Sequence, residues 1–119
     1  MDESDYYIAS RDIQEDIRGS EWSLFDRTGE KIGYWLVKDK YFDSKSTVFS
    51  IAIFIKEEFQ GRQEELGMTL ALLLVKKVFI ALGGDEPIYV EYERCNEHSR
   101  NLFSKTNELG YTRFVRGVD

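Results

Sequence analysis

The chain is poor in the residues that staple or interrupt a fold. It has one cysteine, Cys95, so it forms no internal disulfide and no cysteine metal cluster. Its one histidine, His98, excludes a histidine-based metal set. Its one proline, Pro87, imposes few breaks, which favours regular elements around a packed core. Positive charge is scarce: 16 Lys and Arg against 22 Asp and Glu leave a net charge of −6. That argues against a general nucleic-acid binder, whose surface has to be basic, and suits a soluble protein or one with a basic partner. Long apolar runs are missing as well. Residues 68–75 are apolar, but Lys76 and Lys77 follow at once, so the run is too short and too charged to span a membrane. The acidic start of the chain lacks the apolar core of a secretory signal. Together these absences point to the cytoplasm, with neither nucleic acid nor membrane as partner.

What is present is ordinary for a globular chain. The 119 residues are 42% hydrophobic and include 8 Phe, 7 Tyr and 2 Trp. This fits a single domain over residues 1–119, with an acidic segment at 1–20 and a core at 21–119. From Met1 to Glu21 there are seven acids (Asp2, Glu3, Asp5, Asp12, Glu15, Asp16, Glu21) against Arg11 and Arg18, a balance of −5. The segment is either a solvated surface or an arm that contacts a basic partner.

Along the chain, residues 5–20 give weak strand and helix signals in equal measure through Tyr6, Ile8, Ile13 and Ile17. Residues 21–42 read as a hairpin. Trp22, Leu24 and Asp26 alternate with Ser23 and Phe25, and Arg27-Thr28-Gly29-Glu30 forms the turn. On the return strand Ile32, Tyr34 and Leu36 alternate with Gly33, Trp35 and Val37. A polar loop at 43–46 follows. Residues 47–55 are nearly continuous in β-branched and aromatic side chains, the pattern of a central strand covered on both faces. After a charged connection at 56–63, the composition predicts a helix over 63–82, stopped by Gly83-Gly84. Its apolar residues take up most of its circumference. Residues 87–93 alternate as a strand, 96–109 read as a second helix with Asn96 as N-cap, and 111–115 as a last strand. The order β-β-β-α-β-α-β implies an α/β (α+β) fold with a mixed, partly parallel sheet and two crossover helices.

Three details carry a family resemblance. The apolar strand SIAIFI runs into Glu58-Phe59-Gln60-Gly61-Arg62 and a long helix. The strand YVEYE leads to Asn96 and another helix. Asn107-Glu108-Leu109-Gly110-Tyr111 turns into the last strand. Over residues 21–115 this pattern resembles the GNAT-type N-acetyltransferase fold. The resemblance implies acetyl-CoA as cofactor, held through Phe54, Ile55, Gln60, Gly61, Arg62 and Asn96. Its pyrophosphate would lie on backbone N–H groups at a helix N-terminus.

The chain also departs from that pattern. The family loop has small residues where this sequence has Gln63 and Glu65. A carboxylate beside a dianionic ligand costs about 1 to 4 kcal/mol near a surface. Where the family commonly carries a tyrosine that protonates the leaving thiolate, this chain has Phe103, which cannot donate a proton. No catalytic residue is therefore assigned. Glu91 and Glu93 are either a general base or a solvent face of an antiparallel pair. Glu57, Glu58, Glu64 and Glu65 either cap a helix dipole or form a site for a basic partner. Cys95 reads as a small apolar filler and His98 as a surface imidazole. A surplus of exposed aromatics would mark an interface. The expected function is a GNAT-like domain that has lost acetyl-CoA catalysis and binds a basic protein surface as inhibitor, immunity protein or adaptor. The alternative is an active acetyl-CoA-dependent N-acetyltransferase acting on an amine, and a homodimer stays open.

Overall fold

The computed structural model describes residues 2–13, 19–42, 45–93 and 95–115. Glu15, Asp16, Ile17, Arg18, Asp43, Ser44 and the side chain of Tyr41, all named above, lie outside the described residues. Four strands come first: β1 (Tyr6–Ile13), β2 (Gly19–Asp26), β3 (Lys31–Phe42) and β4 (Lys45–Ile55). Two short strands, β5 (Arg62–Gln63) and β6 (Met68–Thr69), pair only with each other. Then come α1 (Leu70–Ala81), β7 (Ile88–Glu91), α2 (Glu97–Glu108) and β8 (Thr112–Phe114). The main sheet has six strands in the order β1-β2-β3-β4-β7-β8. The first four are antiparallel, and β7 and β8 continue parallel to β4. The protein is thus an α+β fold with a mixed, mostly antiparallel sheet and two crossover helices.

Residues 6–13 resolve in favour of a strand. Tyr6 and Ile8 face inward, Tyr7 and Ala9 outward, and the strand ladders along all of β2. At the hairpin turn Gly29 has φ 88°, the left-handed conformation expected of it. Ile32 is buried at a bulge where Leu24 pairs with Gly33 and Phe25 with Lys31. Gly33, Trp35 and Val37 share the core face, as the alternation implies.

The first helix begins later than its composition predicts, at Leu70 and not at Gln63. Two local effects decide this. Residues 64–67 form a turn in which Gly67, at φ 70°, donates to the Gln63 carbonyl. Thr69 then caps the helix, its hydroxyl accepting from Leu72 N–H at 3.2 Å.

Both crossovers step outward in the same direction, from β4 to β7 and from β7 to β8. Right-handed crossovers of that kind place both helices on one face. Leu70, Leu73, Leu74, Val75 and Val78 of α1 pack with Leu24, Trp35, Ile55 and Val90 from the sheet. From α2, Phe103 is 2% exposed and wedges between Trp35 and Tyr92, with ring centroids 5.7 and 4.9 Å away. Below it the Thr106 and Thr112 hydroxyls share a buried hydrogen bond of 2.7 Å, which ties α2 to β8. Trp35 Nε1 donates to Ser50 Oγ at 2.9 Å inside the core. Burial of polar atoms is cheap only with such partners.

The opposite face is bare, which corrects the expectation that β4 is covered on both sides. Tyr7, Ile51 and Phe54 are 49%, 44% and 46% exposed. Their apolar surface is covered only by neighbours in the sheet, with Tyr7 stacked on Phe25 at 5.2 Å and Tyr34 tilted on Phe54 at 5.6 Å. The continuous apolar run of β4 therefore reflects one packed face and one aromatic surface. Truncation of the buried wedge tests the packing: Phe103→Ala should cost about 3 to 5 kcal/mol in urea unfolding. A loss below 1 kcal/mol would place that ring outside the core.

Candidate functional site

In sheets with parallel strands, ligands gather at the carboxyl ends of those strands. Here that end is unusually open. β7 pairs with β4 only at Val48 with Val90 and Phe49 with Glu91. β4 then runs on to Ile55 beside β3 alone. The two strands part beyond Glu91.

Of the candidate cofactor residues, Phe54, Ile55, Gln60, Gly61 and Arg62 lie at or just beyond the carboxyl end of β4, and Asn96 follows that of β7. Phe54 points to the bare face against Tyr34. Ile55 is buried, and its carbonyl accepts from Gln60 Nε2 at 2.8 Å. Gly61 and Arg62 are exposed, and the β5–β6 hairpin, which Arg62 opens, separates them from the start of α1. They do not form a helix N-terminus. That position belongs to Thr69, whose hydroxyl occupies one of its N–H groups. Asn96 caps α2 as expected, its carboxamide oxygen accepting from Ser99 N–H at 3.1 Å.

The acids are also placed differently from the helix-capping expectation. The first turn of α1 contains no acid. Glu57 and Glu58 lie in a short 3₁₀ turn, Glu57–Phe59, and Glu64 and Glu65 lie in the turn between β5 and β6. All four are exposed, so the connection between β4 and α1 presents an acidic surface. Four of the amino-terminal acids, Asp2, Glu3, Asp5 and Glu21, are used within the molecule. Asp2 and Asp5 form a capping box on the turn Glu3–Asp5. Glu3 pairs with Lys76 of α1 at 2.7 Å, and this bond holds the Lys76 ammonium above its usual pKa. Glu21 bridges Arg11 and Lys31 at 3.3 and 3.1 Å, and the Arg11 bond does most to hold its carboxyl below the usual range. Residues 6–13 of the segment thus form an edge strand of the main sheet.

Glu91 sits on a strand with parallel neighbours on both sides, which replaces the expected antiparallel pair, and it has a partner of its own. Glu93 and His98 are exposed. Cys95 is exposed too, which corrects its reading as an apolar filler. Among the described residues, no group of three or more His, Cys, Asp or Glu side chains is placed to hold a metal ion. Nor is any helix there long and apolar enough to cross a membrane.

A cleft of about 270 Å³ opens where the β5–β6 turn meets the start of β1, lined by Tyr6, Gln63, Glu64, Glu65 and Leu66. Reading the sequence did not find it, because Tyr6 and Leu66 are far apart in the chain. A partial signal was present: Thr69 stands directly before the Leu-rich run, the usual place of an N-cap. Recognising it would have released residues 63–69 from the helix.

None of the known protein-family models matches this chain, and no curated protein or solved structure matches it either.

Asp26, opposite Tyr6 in the ladder, organises the β2–β3 turn at the same end. It accepts from Thr28 Oγ1 and N–H at 2.6 and 2.9 Å and from Glu30 N–H at 3.1 Å. These bonds, the Thr28 hydroxyl foremost, hold its carboxyl below the usual range. A carboxyl depressed by folding stabilises above its unfolded pKa, about 3.9, and that contribution is lost as pH falls through the folded value. Denaturant unfolding should therefore show a constant advantage of the native protein over Asp26→Asn above about pH 5, shrinking below about pH 4. An advantage that does not change with pH would remove the carboxylate from this role.

Proposed function

We propose that the protein is a GNAT-like module without acetyl-CoA catalysis that binds a basic protein surface, in an inhibitory or adaptor role. The observation that carries this reading is the fold of the β4–α1 connection. It forms a hairpin with Glu64 and Glu65 in its turn, next to Glu57 and Glu58, where a pyrophosphate cradle would need a helix N-terminus and small residues. A negatively charged surface at that place repels a dianionic ligand and attracts lysine and arginine side chains. The burial of Phe103 in the core agrees with a position that has no part in proton transfer. Against nucleic acid, the same acids and the net charge of −6 act in one direction.

A second reading, an acetyl-CoA-dependent N-acetyltransferase acting on an amine, is favoured by the short β4–β7 pairing. That divergence leaves β4 open at the end where such a cofactor would lie.

Two measurements separate them. Under the first reading millimolar acetyl-CoA leaves the thermal midpoint unchanged. A true cofactor at 100 times its dissociation constant adds about 2.7 kcal/mol, which moves the midpoint by several degrees. Under the first reading the protein also binds a lysine-rich polypeptide with a steep salt dependence. Charge reversal at Glu57 and Glu58 together with Glu64 should then weaken binding by at least about tenfold at low salt. Unchanged binding in that variant, or no binding by the native protein, would sink the reading.

A further inference from the structure

The cleft beside the acidic hairpin contains a polar group that the fold leaves unused. Tyr6 is 7% exposed, so its ring belongs to the core. Its hydroxyl makes no hydrogen bond to another residue, whereas every enclosed side-chain oxygen and nitrogen among the described residues has a partner. The hydroxyl is therefore not sealed in. It opens on the space that Tyr6 lines together with Gln63, Glu64, Glu65 and Leu66. A phenol whose ring is held in the core and whose hydroxyl has no protein partner is a fixed polar group that a ligand can engage.

The chemistry of the lining selects the ligand. Gln63 turns its Nε2 toward the carbonyls of Phe59 and Gly61, at 3.3 and 3.5 Å, which leaves its amide oxygen as an acceptor. Glu64 adds a carboxylate, and Leu66 an apolar wall. Burial first, then the charges of Asp26, Asp5 and Glu65, raise the pKa of the Tyr6 hydroxyl, so it stays neutral beside a negative potential. Acceptors on three separate side chains match the three N–H donors of a tetrahedral ammonium better than the planar fork of a guanidinium. At about 270 Å³ the cleft falls below the ~300–1,000 Å³ of ordinary small-molecule sites, which suits one side chain and not a cofactor.

We propose that this cleft takes the ammonium group and alkyl stem of a lysine side chain from a basic polypeptide, with Tyr6 Oη, the Gln63 amide oxygen and the Glu64 carboxylate as acceptors and Leu66 against the stem. This rests on the basic-partner reading and names where one residue of such a partner sits.

The test is an amide NMR titration with Nα-acetyl-lysine methylamide, its Nε-acetylated counterpart and the arginine analogue. The lysine probe should shift Tyr6 and residues 63–66. The Nε-acetylated probe should shift neither, and the arginine analogue should bind more weakly. Tyr6→Phe keeps the ring and removes only the hydroxyl, so its thermal midpoint should hold while its dissociation constant for the lysine probe rises about tenfold. Glu64→Gln, an exposed change that leaves the core alone, should weaken the same probe. Equal affinity in Tyr6→Phe, an equal response to the acetylated probe, or tighter binding of the arginine analogue overturns the assignment. A lysine-rich polypeptide that still binds with steep salt dependence in that case leaves the basic-partner reading standing. No binding of the polypeptide by the native protein removes the reading itself.

Discussion

Two crossovers to parallel strands govern this molecule. The chain leaves β4, returns as β7, leaves again and returns as β8, each time one place further from the antiparallel strands. A strand twisted to the right and followed by a right-handed helix packs back onto the sheet in one hand only. Two steps in the same direction therefore put α1 and α2 on the same face. All the large inward side chains, from Leu24 and Trp35 to Val90, meet one helical layer. Tyr7, Tyr34, Ile51 and Phe54 are left on the other side, where Tyr7 stacks on Phe25, Phe54 packs on Tyr34, and the Lys31 ammonium lies over the Tyr34 ring. The bare face is a consequence of topology, and no property of those side chains alone foretells it.

The same geometry shapes the carboxyl end. β7 abandons β4 after Glu91, so the connection from β4 to α1 has room to fold by itself. It does so as a hairpin closed at Gly67 and ended by the Thr69 cap. The acids that would shield a helix dipole are thereby lifted away from the helix. They become an exposed surface near the start of β1, where the unpaired hydroxyl of Tyr6 opens on a cleft. The basic-partner reading proposed above rests on the electrostatics of this end, where exposed acids oppose an anionic ligand. Of the amino-terminal acids, Glu3 and Glu21 are bound by Lys76, Arg11 and Lys31, and a local turn uses Asp2 and Asp5.

Much of the architecture was legible in the residues. The alternation in residues 21–42, the turn at Gly29, the cap at Asn96 and the stops at Gly83 and Gly110 are local effects, and each appears at its expected place. The mixed sheet also followed, because helices between strands require crossovers. The errors have physical causes. Helix propensity in residues 63–69 lost to a turn that satisfies its own backbone groups. The apolar run of β4 looked doubly covered because periodicity records side-chain character and not what lies opposite. Residues 6–13 carried too weak a pattern alone and became a strand by pairing along the whole of β2.

The sequence by itself determined the element types from residue 19 to 55 and from residue 70 onward, the single core and the negative charge, since these depend on neighbours within a few residues or on composition. Only the tertiary structure decided which face of the sheet is covered, where β4 and β7 separate, and that Tyr6 meets Gln63, Glu64 and Leu66. Those outcomes depend on contacts between residues tens of positions apart. Chain topology and the hand of the crossovers set such contacts, and no short window of residues records either.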